Sequence, residues 1–420
     1  MPGHKGRLGK ISARLDLTEI SGADVLYSPS GIILESENKT SEIFNTGHTF
    51  YSVEGASLAI KAMIATALKE SEKRVILATR NAHKSFIYAA ALLGISVVFV
   101  DGDGENSLCS CGVTKEKIDA VLKTRSDVFA VYLTSPDYLG NMLDIEGIAK
   151  VAHSHSIPLL VDNAHGAYLA LLKENVHPIA LGADMCADSA HKTLPSLTGT
   201  AYLHVSKNAN PAFLKTARES LSLFASTSPS YLLLSSLDNL SDYLSKKARR
   251  DYEKTVLKVE KCKRKITNMG FELLFGEPLK ITISPNSVGY LGTFLQNHLR
   301  KYKIECEYAD NEYTVLMVSP KNSARDFSRL FRALKSLEVK EPVSSVFPRV
   351  SSFSEPIDIR SAFFAKGELL PLSLALGRVV KNIAVSCPPA IPVVICGERL
   401  TEERIEALRY YGYDEIEVVK

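Results

Sequence analysis

The sequence predicts an α/β protein, with a mostly parallel sheet in a large domain and a smaller α+β domain after it. Short β-branched runs alternate with amphipathic stretches over residues 54–205, which is the pattern of βα units around a parallel sheet. A helical region rich in Lys and Arg follows at 230–267, and strands and helices mix less regularly after Gly270. We therefore expect an N-terminal arm (1–45), a large domain with a connecting helix (46–270) and a C-terminal domain (271–420).

Hydrophobic periodicity places the individual elements. The predicted helices of the large domain are 56–70, 84–93, 115–123 and 145–155. Its predicted strands are 75–78, 96–100, 128–133, 158–161, 185–187 and 201–205. In the C-terminal domain we expect strands at 280–283 and 314–318 and a helix at 324–337. Ligands of such sheets collect beyond the carboxyl ends of the strands, so the site is expected at that edge.

The charge of the chain argues against some partners. Lys and Arg number 50 against 47 Asp and Glu, a formal charge of +3, which is too weak a field to indicate nucleic acid or a membrane surface. The basic region 230–267 contains interleaved acidic residues and lacks stacking aromatics. A solvated helix face is therefore a better interpretation of it than a nucleic-acid patch.

Other features of the sequence limit the cellular location and the metal content that we expect. The longest apolar stretch, 88–100, is interrupted by Gly94 and Ser96 and is shorter than the about 20 residues that a bilayer requires, so no membrane span is predicted. The N-terminal residues MPGHKGRLGK have no apolar core behind their charges, so we expect a cytoplasmic protein. The seven cysteines are scattered without a CxxC pair, which predicts neither a disulfide framework nor a metal site.

Two motifs indicate the chemistry. Strand 158–161 leads into VDNAHGAY, which places Asp162 where a buried strand meets the ligand edge, and SAHKTLPS later supplies Lys192. Pyridoxal 5'-phosphate requires a lysine that bonds to its aldehyde and a carboxylate that keeps its pyridine nitrogen protonated. Either motif alone is weak, because an Asp at a strand end is more often a helix cap and a Lys is usually solvated. Together they predict a pyridoxal-phosphate site.

The segment SVEGAS fits the phosphate of this cofactor. It places Gly55, Ala56 and Ser57 at the start of a predicted helix. Backbone N–H groups and the helix dipole favour a phosphate there. An ordinary strand-to-helix turn is the alternative interpretation.

The segment RNAHKS fits the ring of the cofactor. It offers His83, whose flat imidazole is able to stack on a pyridine, although a single His there is also a common helix cap. Lys84 competes with Lys192 for the covalent bond. We favour Lys192, because Lys84 lies at a helix start and should point into solvent.

The motifs together resemble those of the Orn/Lys/Arg decarboxylase family, whose members use pyridoxal phosphate and have the aspartate-aminotransferase fold (fold type I). The resemblance runs nearly end to end. It is carried by MPGHKGR, SVEGAS, RNAHKS, LTSPDYLG, VDNAHGAY, SAHKTLPSLTG, STSPSY, the pair Gly377–Arg378, CPPAIP and CGE. It implies decarboxylation of lysine, arginine or ornithine to the corresponding amine. The implied physiological role is either polyamine supply or acid resistance.

The resemblance also implies residue roles. Lys192 holds the cofactor, Asp162 pairs with its ring nitrogen, and His191 contacts the phosphate or protonates the product. The other implied cofactor contacts are His83, Ala164 and His165 at the ring and Gly55, Ala56, Ser57 and Ser189 at the phosphate. Ser226 and Thr227 reach toward the phosphate of a partner chain, which implies a homodimer whose sites need both chains.

The sequence departs from the family pattern at several positions. Glu54 and Ala56 stand where Asn and Ser are usual, Asn163 and Asn382 replace acidic residues, and CPPAIP replaces YPPGIP. One phosphate hydroxyl is thereby missing, so we expect a lower cofactor affinity. The chain begins at MPGHKG, where relatives carry a preceding stretch, so a short form or a truncated start is expected.

Two other functions stay open. The first is another fold type I enzyme: an aldolase, a cysteine desulfurase, or an aminotransferase in which Arg378 anchors a carboxylate. The second is a non-catalytic relative, which the departures favour and the retained Asp162, His83 and Lys192 oppose. Asp137 and Glu54 are weak candidates for binding a cationic substrate side chain, and each is more simply a surface or capping residue.

Overall fold

The computed structural model describes residues 5, 16–102, 108–344, 358–385 and 389–420. They form two compact units. Unit one takes its residues from 1–76, 118–135 and 144–249, and unit two from 77–117, 136–143 and 250–420. The predicted domain boundaries after residues 45 and 270 stay a prediction. Most of MPGHKGR, and Cys387 of CPPAIP, lie outside the described residues.

The strands and helices have the following bounds. The strands are β1 His48–Ser52, β2 Val75–Thr79, β3 Ser96–Val100, β4 Val128–Thr134, β5 Leu159–Asp162, β6 Met185–Asp188, β7 Ala201–Val205, β8 Glu272–Leu274, β9 Lys280–Ser284, β10 Tyr308–Ala309, β11 Thr314–Met317, β12 Gly367–Pro371 and β13 Glu415–Val419. The helices are α1 Ile32–Phe44, α2 Gly55–Lys69, α3 Lys84–Leu93, α4 Lys115–Thr124, α5 Ile145–Ser154, α6 Ala190–Thr193, α7 Pro211–Phe224, α8 Tyr231–Tyr243, α9 Arg249–Thr267, α10 Gly292–Lys301, α11 Ala324–Lys335, α12 Ile359–Phe364 and α13 Glu402–Tyr410.

Unit one contains a sheet region with the strand order β1-β7-β6-β5-β4. β5 pairs in parallel with β4 and β6, whereas β7 runs antiparallel to β6 and β1. The register sets Thr134 beside Asp162 and Asp162 beside Ala187, so the carboxyl ends of β4, β5 and β6 meet at one edge. The predicted α/β fold with a mostly parallel sheet is confirmed, and β7 is the reversed strand.

The strands β4 to β7 of unit one are buried and mostly apolar, as is typical of a sheet that helices cover. β5, β6 and β7 are buried at every position. α2 is rich in Ala and Ile and is almost entirely buried, packing on α7 and on β7. The small Ala side chains allow these close approaches, so the segment SVEGAS leads into a helix that packs in the core.

The helical region predicted at 230–267 forms as α8, a π-helical turn (Leu244–Ala248) and α9. α9 is strongly polar on one side and buries Tyr252, Val259 and Ile266 on the other. Its basic residues therefore lie mainly on a solvated face, as predicted. Among the described residues, no helix combines the length and the apolar character that crossing a bilayer requires.

Unit two combines several smaller elements. β8 to β11 form an antiparallel sheet in the order β10-β11-β9-β8, and β12 pairs with β13. Residues 77–79 of β2 belong to unit two, and β3 is the neighbouring strand there. α11 begins with a capping box between Ser323 and Asp326. The predicted strands 280–283 and 314–318 and the helix 324–337 form here as β9, β11 and α11.

A buried carboxylate closes a turn in unit two. Asp137 is 4 % exposed, and one of its oxygens accepts hydrogen bonds from the N–H groups of Leu139, Gly140 and Asn141. The other oxygen accepts from the Asn141 side chain at 2.9 Å. Asp137 is thus a capping residue, the simpler of the two interpretations of the sequence, and its oxygens are already occupied.

We expect Asp137→Ala to lower the free energy of unfolding by about 3 kcal/mol, because three backbone donors lose a charged acceptor away from water. Denaturant titration measures the change. Asp358→Ala in the same unit is the matched control, since Asp358 is exposed and caps α12 through the Ser361 N–H; its expected cost is about 1 kcal/mol. Equal costs for the two variants contradict the prediction.

Candidate active site

The end of β5 presents a buried carboxylate. Asp162 is 2 % exposed, and its oxygens accept hydrogen bonds from the Tyr132 hydroxyl at 3.2 Å and the Ala164 N–H at 3.1 Å. Burial raises the pKa of Asp162, against the opposing effects of the Lys192 charge and these two hydrogen bonds. The fold therefore holds this carboxyl group where its ionised form is costly, with the amine of Lys192 as the compensating charge.

Lys192 lies in α6, a single turn that follows β6. Its Nζ is 2.9 Å from Nε2 of His165, which comes from the motif VDNAHGAY. The two motifs of the sequence therefore meet through this contact. Because an ammonium only donates, Nε2 of His165 is the acceptor and is able to take a proton from Lys192.

The residue before Lys192 has a defined orientation. His191 Nδ1 lies 2.9 Å from the Thr200 carbonyl oxygen. A carbonyl only accepts, so Nδ1 carries a proton and Nε2 is the atom able to accept or release one. Ser189 lies beside it, with Oγ at 3.4 Å from His191 Nδ1.

The start of α2 adjoins the Lys192 turn. The Gly55 N–H donates to the Gly199 carbonyl at 2.7 Å, and Gly55 has a φ of +73° that favours glycine. The Glu54 side chain does not cap the helix. Ala56 is buried and Ser57 is exposed. This helix start therefore lies beside the residues that follow Lys192, without a capping side chain.

The segment STSPSY is held by one of the departures from the family pattern. Ser226 and Thr227 are exposed, and the Ser226 N–H donates to Oε1 of Glu54 at 2.7 Å. Glu54 thus connects STSPSY to the start of α2 within one chain. An Asn at this position is shorter and could not provide the same charged acceptor.

Unit two contains His83 and Lys84. His83 is the N-cap of α3, and its Nδ1 accepts from the Ser85 N–H at 3.1 Å. It is therefore the helix cap that the sequence allowed, and its stacking on a ring stays a prediction. Lys84 is the first residue of α3 and is half-buried.

RNAHKS contacts the segment that contains the end of CPPAIP, also within unit two. The buried Arg80 guanidinium donates to the carbonyls of Pro392 at 2.8 Å and Val393 at 2.9 Å. It also forms an ion pair with Glu398 of the motif CGE at 3.6 Å. The Lys84 N–H donates to the Ala390 carbonyl at 2.9 Å. Three of the quoted motifs are thereby joined.

One alternative anchor, Arg378, and one departure from the family pattern, Asn382, are engaged in unit two. Arg378 pairs with Glu368 at 2.7 Å and donates to the Val419 carbonyl, so its guanidinium connects β12 to β13. The Asn382 side chain accepts from the Ile383 N–H. Arg378 is therefore engaged in unit two, which weakens the interpretation of this residue as a carboxylate anchor.

The sequence alone missed two partners of the site. Tyr132 holds Asp162, and its only signal is a polar hydroxyl in the otherwise apolar strand VFAVYLT. Asp188, at the end of β6, accepts from the Asn163 side chain at 2.7 Å. Its signal is an acid directly before SAHKTLPS, a position that also ends a buried strand.

Comparison with known proteins decides the family. A model of the Orn/Lys/Arg decarboxylase major domain matches residues 7–273, and a model of the corresponding C-terminal domain matches residues 356–415. The chain belongs to the Orn/Lys/Arg decarboxylase family. The resemblance inferred from the motifs is confirmed.

The chain is similar to curated arginine decarboxylases, among them the following two. That of Bacillus subtilis is 30 % identical over 436 residues, which cover 96 % of this chain and 88 % of the relative. That of Halalkalibacterium halodurans is 31 % identical over 431 residues, which cover 97 % and 87 %. Both alignments extend over nearly the whole chain, so both units belong to the family pattern.

Solved lysine decarboxylases share the fold. Lysine decarboxylase A from Pseudomonas aeruginosa has a TM-score of 0.79 at 17 % identity, covering 97 % of this chain and 74 % of that chain. The Francisella novicida lysine decarboxylase LdcF has a TM-score of 0.78 at 16 % identity, covering 96 % and 74 %. The predicted fold type I architecture is confirmed.

We expect Asp162→Asn to raise the melting temperature of the cofactor-free protein at neutral pH. The folded-state pKa of Asp162 is raised, so ionisation of this carboxyl group costs stability as pH rises through that value. Asn avoids the charge and still pairs with Tyr132 and Ala164. The gain should vanish on acidification, as thermal melts over a pH series will measure.

Asp188→Asn is the matched control, with the opposite sign. Although burial disfavours the Asp188 carboxylate, the charges and hydrogen bonds of His177 and His204 hold its pKa well below the ordinary value. This stability is present above the unfolded-state pKa of about 3.9 and is lost as pH falls through the folded-state value. The variant should therefore melt lower at neutral pH. A shift of both variants in the same direction contradicts the assignment.

Proposed function

We propose that this protein is a pyridoxal 5'-phosphate-dependent decarboxylase that converts a basic amino acid to its amine and carbon dioxide. The observation that carries the proposal is the buried carboxyl group of Asp162, whose compensating charge is the amine of Lys192. Family membership supports the reaction class. Arginine is the first substrate to test, since curated relatives are named arginine decarboxylases.

The residues present fit the cofactor. Asp162 is an acid whose burial raises its pKa, and a protonated ring nitrogen is the partner such a group needs. Thr134, beside Asp162 in the register, has a buried hydroxyl with no hydrogen-bond partner among the described residues. The start of α2, with Ala56 and Ser57, offers backbone N–H groups to a phosphate. Each part of the cofactor thus has a chemically suitable group.

The residues of the chain take distinct roles in this proposal. When bound, the cofactor supplies an aldehyde for the amine and a ring that accepts the electrons released at the substrate carbon. Asp162, fixed by Tyr132 and Ala164, keeps the ring nitrogen protonated. His165 Nε2 takes the proton that Lys192 must lose to become nucleophilic. His191 Nε2 delivers a proton to the substrate carbon.

Other predicted contacts complete the proposal. His83 stacks on the ring, and Ser189 joins Gly55 and the following residues at the phosphate. Ser226 and Thr227 serve the phosphate of a partner chain in a homodimer. A cytoplasmic location and a role in polyamine supply or acid resistance belong to the proposal as well. The exposure of Ser226 and Thr227 supports the dimer, because both side chains are accessible to a second chain.

We expect Lys192→Ala to abolish release of labelled carbon dioxide from carboxyl-labelled arginine, lysine and ornithine, by a factor on the order of 10⁴ or more. The variant should also lose the visible absorbance of the cofactor-loaded protein. Lys84→Ala is the control and should keep that absorbance. The opposite pattern assigns the cofactor to Lys84. Amino transfer to a keto acid without gas release favours an aminotransferase, and failure of the wild type to bind the cofactor favours a non-catalytic relative.

The dimer proposal predicts complementation. Lys192→Ala and Thr227→Trp are each expected to be nearly inactive, because each lacks one half of every site. Mixed after mild dissociation, they should recover about a quarter of wild-type activity, since half of the dimers are then mixed and one of their two sites is intact. Size-exclusion chromatography monitors the assembly. An inactive mixture of intact mixed dimers places Thr227 in the same site as the Lys192 of its own chain.

A further inference from the structure

A polar cluster, here named the Asp188 cluster, lies in the core of unit one beside the candidate site. It consists of Asp188 with His177, His204, Asn163 and Cys186, all buried. Oδ2 of Asp188 lies 3.0 Å from His177 Nε2 and 3.1 Å from His204 Nε2. Oδ1 accepts from Asn163 Nδ2 at 2.7 Å and from the Cys186 thiol at 3.3 Å. Four donors therefore converge on one carboxylate.

The imidazoles act as hydrogen-bond donors in this cluster. Their ligand atoms and a carboxylate oxygen of Asp188 lie within 4.8 Å of one another, close enough for a metal ion. However, His177 Nδ1 accepts from the Ile179 N–H at 3.3 Å. A neutral imidazole that accepts at Nδ1 carries its proton at Nε2, which then donates to Asp188 and has no lone pair for a metal.

The surroundings fix the two rings. Phe44 packs against His177 and His204, with ring centroids 5.5 Å and 4.5 Å away. His204 Nδ1 lies 2.8 Å from the hydroxyl of Thr49 on β1. Rings that are packed and hydrogen-bonded on several sides keep one orientation. Asp188 is therefore held by rings whose orientation the core fixes.

The cluster connects the two strands that carry the chemistry. Asp188 directly precedes Ser189, the N-cap of the turn that contains His191 and Lys192. Asn163 directly follows Asp162. The hydrogen bond from Asn163 to Asp188 therefore joins the end of β5 to the end of β6, one residue away from the acid and four residues away from the amine.

We propose that Asp188 is a positioning residue, which sets the spacing between Asp162 and Lys192 by holding Asn163 on one side and His177 and His204 on the other. The departure at position 163 fits this role. A carboxylate there would face Asp188 with a like charge, whereas Asn supplies an N–H donor. Asn163 and Asp188 thus form a complementary pair.

The test compares Asp188→Asn with Asp184→Asn. Asp184 precedes the other end of β6 and accepts from His153 and from the Leu159 N–H, each at 2.8 Å. The control thus removes the same charge, also paired with a histidine, at the far end of one strand. In Asp188→Asn, the new amide places a donor against either the imidazoles or Asn163 and leaves that side unpaired.

The first readout is amide hydrogen exchange of the cofactor-free protein. Asp188→Asn should accelerate exchange in peptides spanning 162–166 and 189–193 by about tenfold or more, and Asp184→Asn should leave those peptides unchanged. This readout needs no activity. Equal exchange in the wild type and Asp188→Asn overturns the proposal, as does equal acceleration in both variants.

The second readout rests on the proposed function. Asp188→Asn should lower kcat about tenfold to a hundredfold with little change in KM, because a misplaced amine and acid slow the chemistry more than binding. The visible absorbance of the cofactor-loaded protein should titrate at lower pH, since a nearby negative charge is lost. If the wild type is inactive, the proposed function fails and the exchange experiment still decides this inference.

Two further measurements complete the test: a second variant and a metal analysis. If Asp188→Asn does not fold, Asn163→Ala removes only the connection to β5 and leaves both imidazoles on Asp188. It should accelerate exchange at 162–166 in the same way, and unchanged exchange overturns the proposal. Metal analysis of the purified protein should find no stoichiometric metal that depends on Asp188. A bound metal that does depend on it also overturns the proposal.

Discussion

The candidate site depends on one carboxyl group that the fold buries at the end of a strand. Parallel pairing of β5 with both neighbours places Asp162 at the edge where three strands end, and the surrounding apolar sheet removes water from it. A charge in such a place needs fixed partners. Tyr132, Ala164 and Lys192 are those partners, so the geometry of the site follows from the cost of burying one acid.

Asp162 and Asp188 lie at the ends of neighbouring strands, but the fold surrounds them with different numbers of hydrogen-bond donors. Asp188 receives four donors and is held in its ionised form, whereas Asp162 receives two and keeps a raised pKa. The difference matches their proposed tasks. Asp188 is saturated and therefore suited to holding structure, while Asp162 keeps capacity for a cationic partner. Buried polar groups thus separate into structural and chemical ones by how fully they are satisfied.

Much of the architecture could be predicted from local patterns. The strand that ends in Asp162 and the helix that begins at Gly55 follow from apolar runs and their period, which depend on neighbouring residues only. The reversal of β7 and the exact partners of Asp162 could not be predicted. Tyr132 lies in a separate strand, and its hydroxyl meets Asp162 only because of the register between β4 and β5. The register between two strands is a tertiary property, and the sequence of either strand alone does not determine it. The family motifs, in contrast, are local in the sequence and indicate the chemistry without knowledge of the tertiary contacts.

The hydrogen bonds from Arg80 to the carbonyls of Pro392 and Val393 have a consequence for biosynthesis. These hydrogen bonds join positions 312 and 313 residues apart in the chain. Such contacts form only after the segment with Pro392 and Val393 has left the ribosome, and their loop-closure entropy makes them late events. During translation, the segment with His83 therefore gains these contacts late. Premature termination before Pro392 would release a nascent protein whose Arg80 guanidinium lacks both carbonyl acceptors.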